Sequence, residues 1–589
     1  MKFQLVVDCF ERLETESKRL KITEILADLL KKATPDEAAI ISYLALGELN
    51  PTYVGTQFNF AEKSILKVLA ILLDASQEEI KKLAHKLGDL GSVAQSGVWQ
   101  GSSDILSIKD VHKSLEKLAE LSGMGSQEQK EEHMVKVLRT MTPLCAKYVV
   151  RIVQGKLRLG FSDMTLLDAF SWMETGDKSI RDILEDAYNI SADIGLMIKT
   201  LKESGVKALE HMTITPGIPI RPAAAERLSD AKAIIEKIGP CMAQPKLDGF
   251  RLQVHIPACA KASAGRHTIV HFFSRNLQDM SAMFPDLAQA VLDLEVESLV
   301  AEGEAIAFDV ETGNFLPFQE TVKRKRKHDI EKTAHDFPLK LYFFDLLYLN
   351  GVSYINKPHH ERREKLETLL SKKSIHKQET LFLIQEEPMK SAQELEAYFN
   401  ATITQGLEGL VVKRDDAVYQ PGKRNFNWIK LKRQESGSLD DTIDCVVLGY
   451  YMGHGKRATF GIGAFLVGVY NEKADCFETV AKIGTGLTDG EWKDLKKSCD
   501  ALIREHKPSN IVCAKELYPD VWCYPEIVVL VRADEITLSP LHSAGKTDEN
   551  LGYALRFPRI MGYRPDKKAV EATTVKEITS MFHVQFNKK

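Results

Sequence analysis

No C-x-x-C pair occurs in this 589-residue chain. Its nine cysteines stand singly, at Cys9, Cys145, Cys241, Cys259, Cys445, Cys476, Cys499, Cys513 and Cys523. That excludes a zinc ribbon and offers no spacing for a disulfide framework, so a reducing compartment is expected. No apolar run approaches a bilayer span. The N-terminus MKFQLVVDCFERLE turns acidic by Asp8 and lacks a signal-peptide core. An intracellular chain is therefore expected, cytoplasmic or nucleoid-associated, or nuclear in a eukaryote. A large excess of either charge is missing too. The balance of 78 basic and 82 acidic residues leaves a net −4, which excludes a uniformly basic nucleic-acid coat and leaves room for local basic surfaces. Internal repeats and low-complexity tracts are also absent. What is present is an ordinary globular composition, 44% hydrophobic and 27% charged, in a chain long enough for two to four domains.

The periodicity of the apolar residues changes character near residue 213. Before it they recur at helical spacing. Thr34-Pro35-Asp36-Glu37 reads as a capping box with proline at the first helical position, opening a helix that stops near Gly47. Phe60–Leu73, Gln77–Leu87, Ile108–Leu121 and Ile180–Leu201 follow the same pattern, which predicts an all-helical domain over 1–213. The proline-rich Thr215–Pro222 marks a linker. Strand-type runs then take over at Leu252–Ile256, Thr268–Ser274, Leu299–Phe308, Leu339–Tyr348, Gly409–Arg414 and Trp428–Lys432. Helices at His360–Leu370 and Ala392–Thr404 interrupt them, and Asn350-Gly351 signals a hairpin turn. This is an α+β domain over 214–434. After the polar break at 434–438, short strands at Cys445–Tyr451, Gly463–Tyr470, Phe477–Ile483 and Glu526–Val531 suggest a small all-β barrel over 435–589.

The chemistry lies in the middle region. Gln244-Pro-Lys-Leu-Asp-Gly-Phe-Arg251 puts Lys246 just ahead of an Asp-Gly turn, where an amine can be held rigidly as a nucleophile or a phosphate ligand. As an isolated pattern it reads equally as an exposed hairpin with a solvated lysine. Downstream, in order, stand Ser274-Arg275-Asn276, Glu302-Gly-Glu-Ala-Ile-Ala-Phe-Asp309, Tyr342-Phe-Phe-Asp-Leu-Leu-Tyr-Leu-Asn-Gly351, Glu408-Gly-Leu-Val-Val-Lys413, and Arg424 followed by Trp428-Ile-Lys-Leu-Lys-Arg433. Each sets a charged or aromatic residue beside a strand, as a nucleotide cleft requires. Phosphates need Lys and Arg, a metal needs carboxylates, and a base needs an aromatic face.

This ordered set resembles the covalent nucleotidyltransferase superfamily, and is most similar to ATP-dependent DNA ligases of the archaeal and eukaryotic replicative type. Four C-terminal segments look like the OB-fold domain of those ligases: Tyr450–Arg457, Lys482–Asp489, Pro519–Trp522 and Ala554–Arg559. Arg151–Gly160 is similar to their DNA-encircling helical domain. The resemblance spans almost the whole chain. It implies a helical DNA-binding domain, a nucleotidyltransferase (adenylation) domain and an OB-fold domain. The implied activity is sealing of nicks in replication, repair and recombination, by way of a lysyl-AMP on Lys246 and a DNA-adenylate. Implied nucleotide ligands are Gln244, Arg251, Arg275, Glu304, Phe344 (stacking on adenine), Arg424, Lys430 and Lys432. Glu304 and Glu408 are implied for Mg²⁺, and Arg556 and Arg559 for orienting pyrophosphate on domain closure. A free lysine is protonated at neutral pH, so the metal and the cations Arg251, Lys430 and Lys432 are expected to ease loss of its proton.

DNA contact should be electrostatic and independent of sequence. Arg151, Lys156 and Arg158 are candidates, although a helix terminus enriched in cations is an equally physical reading. Lys323, Arg324 and Arg326 belong to a basic run that fits a loop near DNA or a localisation signal. The resemblance further implies ATP and Mg²⁺ as cofactors, nicked duplex DNA and a sliding clamp as partners, and a monomeric enzyme. Gln244 departs from the glutamate that most ATP-dependent members carry at that position. Its amide oxygen accepts a hydrogen bond from adenine, while its NH₂ could donate to a different base. The segment 257–267 reads as a small hairpin insertion. Rival readings are an RNA ligase or capping guanylyltransferase of the same superfamily, and a catalytically silent OB-fold nucleic-acid-binding protein.

Overall fold

The computed structural model describes residues 1–99, 106–123, 125–155, 157, 159–258, 270–308, 315, 321, 324, 330–371, 379–404, 407–432, 442–453, 461–548 and 550–587. The chain divides into two units, Met1–Arg433 and Gln434–Lys589.

The first unit opens with helices. Thr34 accepts from the Glu37 amide, the Glu37 side chain returns to the Thr34 amide, and Pro35 begins the helix Pro35–Ala45. Gln77–Leu87 and Ile108–Glu120 lie where the periodicity predicts them. Ile180–Leu201, expected as one helix, is two: Arg181–Ile190 and Ile194–Ser204. The break is held by Asp193. Its carboxylate caps the second helix at the Leu196 amide and accepts from the hydroxyls of Tyr43 and Tyr53 at 2.5 and 2.7 Å. The helices bury Phe3, Phe10, Leu26, Leu30, Tyr148 and Phe170 in one core, and each such side chain contributes roughly 1.5–3 kcal/mol.

Two sheets follow. Strands β1 (Ala224–Arg227), β2 (Cys241–Pro245), β9 (Glu387–Met389), β10 (Gly409–Lys413) and β11 (Arg424–Lys432) form a five-stranded sheet in the order β1-β11-β10-β2-β9. Strands β3 (Phe250–Ile256), β4 (His271–Ser274), β5 (Leu299–Ala307), β6 (Leu339–Leu349) and β7 (Val352–Ser353) form the second in the order β4-β3-β5-β6-β7, with β8 (Leu381–Leu383) beside β6. Alternation decides what each face carries. In the first sheet Ala243, Leu410, Val412, Ile429 and Leu431 are buried with Ile234 and Leu395 of the helices Ala231–Ile238 and Ala392–Thr404. The other face carries Gln244, Val411 and Lys430 in one row across the strands, and Gly409 beside Lys432 in the next. In the second sheet Leu252, Val254 and Ile256 pack against Phe284, Leu287 and Leu366. The opposite face sets Arg251 beside Glu304 and Gln253 beside Glu302. Val300, Leu347, Tyr419 and Trp428 share a small core that ties strands of both sheets together. Asn350 and Gly351 close the β6–β7 hairpin at φ +46° and +88°, the pair of positive values that a two-residue turn of this hand needs.

The second unit is β-rich. Ile443–Tyr451, Ala464–Asn471 and Cys476–Ile483 run antiparallel, and Val528–Arg532 pairs with the first of them. Their inner face buries Val447, Phe465, Val467 and Val529. The helix Asp489–Asp500 is additional to the strands expected there. Thr488 and Glu491 cap it, and it buries Trp492, Leu495 and Cys499 at helical spacing. Among the described residues no helix is long and apolar enough to cross a membrane.

Candidate active site

Lys246 does not sit in a hairpin. It follows β2, which belongs to the first sheet, and precedes β3, which belongs to the second, so 246–249 is the crossing between them. The β2–β10 ladder continues one step past the strands: Lys246 N donates to Gly409 O at 2.8 Å, and Glu408 N donates to Lys246 O at 3.3 Å. Gly409 is required there. Its φ is +140°, and a Cβ would lie 2.2 Å from the Leu431 carbonyl oxygen. The result is that the Lys246 ammonium contacts Glu408 Oε2, while Lys432 Nζ lies 3.2 Å from Glu408 Oε1. Lys246 and Glu408 are each about a quarter exposed (25% and 26%), open enough for a ligand to reach. Gly249 has the same necessity: a Cβ would meet the Ala305 carbonyl oxygen at 2.3 Å. Its amide donates to Glu304 Oε1 at 3.2 Å, which brings that carboxyl to the crossing.

Charge is concentrated around this crossing. Burial and the nearby cations Arg424, Lys432, Arg275 and Arg227 push Lys430 below the usual lysine range. Arg227 and Lys430 are register partners on β1 and β11. Five cations drawn to one spot make a site for an anion of high charge. Glu304 is pushed up to about 7 by burial, against the pull of Lys246 and Arg251. The ammonium of Lys246 faces a carboxylate rather than the cations expected to ease its deprotonation.

Phe344 is half-buried, edge-on to Trp428 with ring centroids 6.1 Å apart. Lys413 Nζ lies 5.2 Å from the Phe344 centroid and donates to its carbonyl oxygen at 2.8 Å. Burial pushes Lys413 down to about 8, against Asp345 and Glu386. Asp345 in turn is gripped by Arg362 through two bonds of 2.7 and 3.0 Å, with both side chains sealed from solvent.

The structure thus gathers Lys246, Glu304, Glu408, Arg275, Arg424, Lys430 and Lys432, with Gln244 one step along the same face. Three other expected arginines of the first unit are held by carboxylates of the fold. Arg251, expected on the nucleotide, gives Nη1 to the Ala223 carbonyl oxygen and Nη2 to both oxygens of Glu302, which also accepts from Tyr419. Arg324, expected on DNA, is a correction. It is 2% exposed, with both terminal nitrogens on Asp286 and on the carbonyl oxygens of Met283 and Phe337, because a buried guanidinium must fill its donors internally. Arg151 is held between Glu14 and Asp89 at 2.8 and 2.7 Å. Arg556 and Arg559, in the second unit, pair with Glu535 and Asp534 at 2.7 and 3.2 Å. Lys156, Arg158, Lys323, Arg326 and the segment 259–267 lie outside the described residues.

Sequence reasoning missed Arg227, Lys413, His359 and Glu386. Lys413 closes a motif whose first residue alone is given a role, so alternation along β10 could have flagged it; the other three carry no local signal. Among the described residues no group of three or more His, Cys, Asp or Glu forms a ready-made metal cage.

Comparison with known proteins agrees with the full length of this arrangement. Residues 222–432 match the model "ATP dependent DNA ligase domain", 2–171 match "DNA ligase N terminus", and 458–567 match "ATP dependent DNA ligase C terminal region". The chain is 44% identical to a "Probable DNA ligase" of Dictyoglomus turgidum, covering 100% of this chain and 99% of that one. It is 35% identical to a "DNA ligase" of Sulfolobus acidocaldarius, again covering 100% and 99%. A solved structure described as "Pmar-Lig_Pre." has the same fold at 17% identity, with TM-score 0.55 over 95% of this chain and 99% of that one.

Proposed function

The chain belongs to the ATP-dependent DNA ligase family, and from that premise we propose that Lys246 is its adenylylated nucleophile and nicked duplex DNA its substrate. The carrying observation is the Lys246–Glu408 contact beside the cation cluster of Lys430, Lys432, Arg424, Arg275 and Arg227. In the first step Lys246 Nζ, having lost a proton, attacks the α-phosphorus of ATP. An N–P bond forms, the P–O bond to the β-phosphate breaks, and pyrophosphate leaves. In the second, a 5′-phosphate oxygen at the nick attacks the same phosphorus and the N–P bond breaks, returning the lysine amine. In the third, the 3′-hydroxyl attacks the 5′-phosphorus, the backbone closes and AMP leaves.

The cluster around Lys430 binds and orients the triphosphate, and its positive charge meets the charge that builds on the leaving oxygens. Glu408 holds the Lys246 ammonium in line until nucleotide arrives. Glu304 and Glu408 fit Mg²⁺: both are hard oxygen donors, and Glu304, kept near 7 by burial, is a carboxyl that a divalent cation would return to its ionised form. Bound there, the ion would supply Lewis-acid polarisation of the α-phosphate. Phe344 offers the base an aromatic face. In this reading 1–213 is a DNA-binding domain, 214–434 the adenylation domain and 435–589 an OB-fold domain. Lys156, Arg158, Lys323 and Arg326 contact the DNA backbone, and Arg556 and Arg559 orient pyrophosphate. The enzyme is monomeric, takes a sliding clamp as partner, and acts in replication, repair and recombination.

The test is incubation with α-labelled ATP and Mg²⁺, a chase with nicked duplex, and the same with Lys246→Ala. Label should attach to the wild type, leave for the nick, and be absent from the variant. Label persisting on Lys246→Ala would refute the assignment.

A further inference from the structure

Gln244 Nε2 donates to Glu386 Oε2 at 2.5 Å, and His359 Nε2 lies 2.8 Å from the same oxygen. Gln244 is 2% exposed, His359 1%, and the Glu386 side chain 3%. Burial opposes ionisation of Glu386, but the His359 hydrogen bond and the charges of His359, Lys413 and Arg363 outweigh it, so the group stays below the usual carboxylate range. A carboxylate only accepts hydrogen bonds. The amide must therefore turn its nitrogen to Glu386, because the opposite flip would set its oxygen against a negative one in a dry site. Its Oε1 takes no hydrogen bond from any described residue.

Gln244 stands two residues before Lys246 on the same strand face, about 6.6 Å along it at ~3.3 Å per residue. It shares its row with Val411 and Lys430. Lys413, beside the ring of Phe344, is the next same-face residue on β10 after Val411 and interacts with Glu386. With the α-phosphate at Lys246 and Lys430, that end of the row is a nucleoside's length away.

We infer that Glu386 and His359 are positioning residues that lock Gln244 with its carbonyl oxygen toward the nucleotide base. The site then takes a purine carrying an exocyclic amine, as in ATP, and rejects one carrying an oxo group there, as in ITP. This deepens the lysyl-AMP reading and rests on it. An oxo group would face Oε1 acceptor to acceptor, leaving both unpaired, an effect on the order of 10- to 100-fold in kcat/KM.

Covalent labelling of the full chain with α-labelled ATP and with α-labelled ITP, both with Mg²⁺, tests it. Wild type should prefer ATP by that factor. In Glu386→Gln the new amide can donate to the Gln244 oxygen and release its NH₂ toward the base, so the preference should fall to within a few-fold. The double swap Gln244→Glu with Glu386→Gln should restore it, because the carboxylate accepts from the new amide and still presents an acceptor to the base. Equal labelling of wild type by both nucleotides, or an undiminished preference in Glu386→Gln, overturns the inference. If the single variant labels with neither nucleotide, the swap decides: recovered ATP preference supports the lock, and none counts against it. Wild type that takes no label from ATP would instead sink the lysyl-AMP reading, and this inference with it.

Discussion

Replacing Glu304 with glutamine should make the empty protein more stable while abolishing its chemistry. Burial raises this carboxyl from 4.5 to about 7 even though Lys246, Arg251 and the Gly249 amide all favour its ionised form. In the unfolded chain it titrates near its ordinary value, so between about pH 4.5 and 7 the folded state holds the extra proton. Stability therefore falls as pH rises through that window and is flat above it. At about 1.36 kcal/mol per pH unit, the buried charge costs about 3 kcal/mol at pH 8.5 and about 1 kcal/mol at pH 5.5. Glutamine is neutral throughout and its oxygen still accepts from Gly249. The variant should thus exceed wild type by about 3 kcal/mol at pH 8.5 and about 1 kcal/mol at pH 5.5. Urea unfolding without nucleotide or divalent cation, followed by tryptophan fluorescence, reads the difference, and ATP labelling of the same variant should be lost. A gain equal at the two pH values, or a loss at pH 8.5, would refute the burial argument.

Arg362→Met leaves Asp345 buried without its main partner, although the Lys413 ammonium remains 3.7 Å away. Asp345 is held far below the usual carboxylate range, so this stabilisation is present near neutrality and lost in acid. The substitution should cost about 3–5 kcal/mol at pH 7, and an unfolding loss below 1 kcal/mol would contradict it. Gly409→Ala drives a Cβ into the Leu431 carbonyl and displaces the ladder that holds Lys246 beside Glu408; adenylylation should fall on the order of 10²-fold, measured by single-turnover labelling. Arg151→Ala should destabilise the helical region by about 1–3 kcal/mol through loss of Glu14 and Asp89. Lys156→Ala should make the salt dependence of nicked-duplex binding shallower by about 0.9 in log–log slope.

Much of the fold was legible because its causes are local. A capping threonine, a proline at the first turn and a glutamate three residues on set a helix start whatever surrounds them, and Thr34–Glu37 folds that way. Alternation of apolar residues in Leu252–Ile256 marks a buried strand face, and Asn-Gly marks the β6–β7 turn. Where a local pattern failed, a distant partner had won. The single helix expected over Ile180–Leu201 breaks at Asp193, whose carboxylate is claimed by two tyrosines from the start of the chain.

The ordered motifs were enough by themselves to name the family. They were enough because each motif carries its chemistry in adjacent residues. Only the tertiary structure decided which side chains meet. The pairing of β2 with β10 puts Glu408 on Lys246. Arg251 and Arg324 look alike as exposed cations in a sequence, yet the fold turns one onto Glu302 and buries the other on Asp286. Gln244 was open between acceptor and donor until Glu386, far along the chain, took its nitrogen. Such outcomes depend on contacts between strands distant in sequence, and no local periodicity encodes where a flexible polar side chain will find its partner.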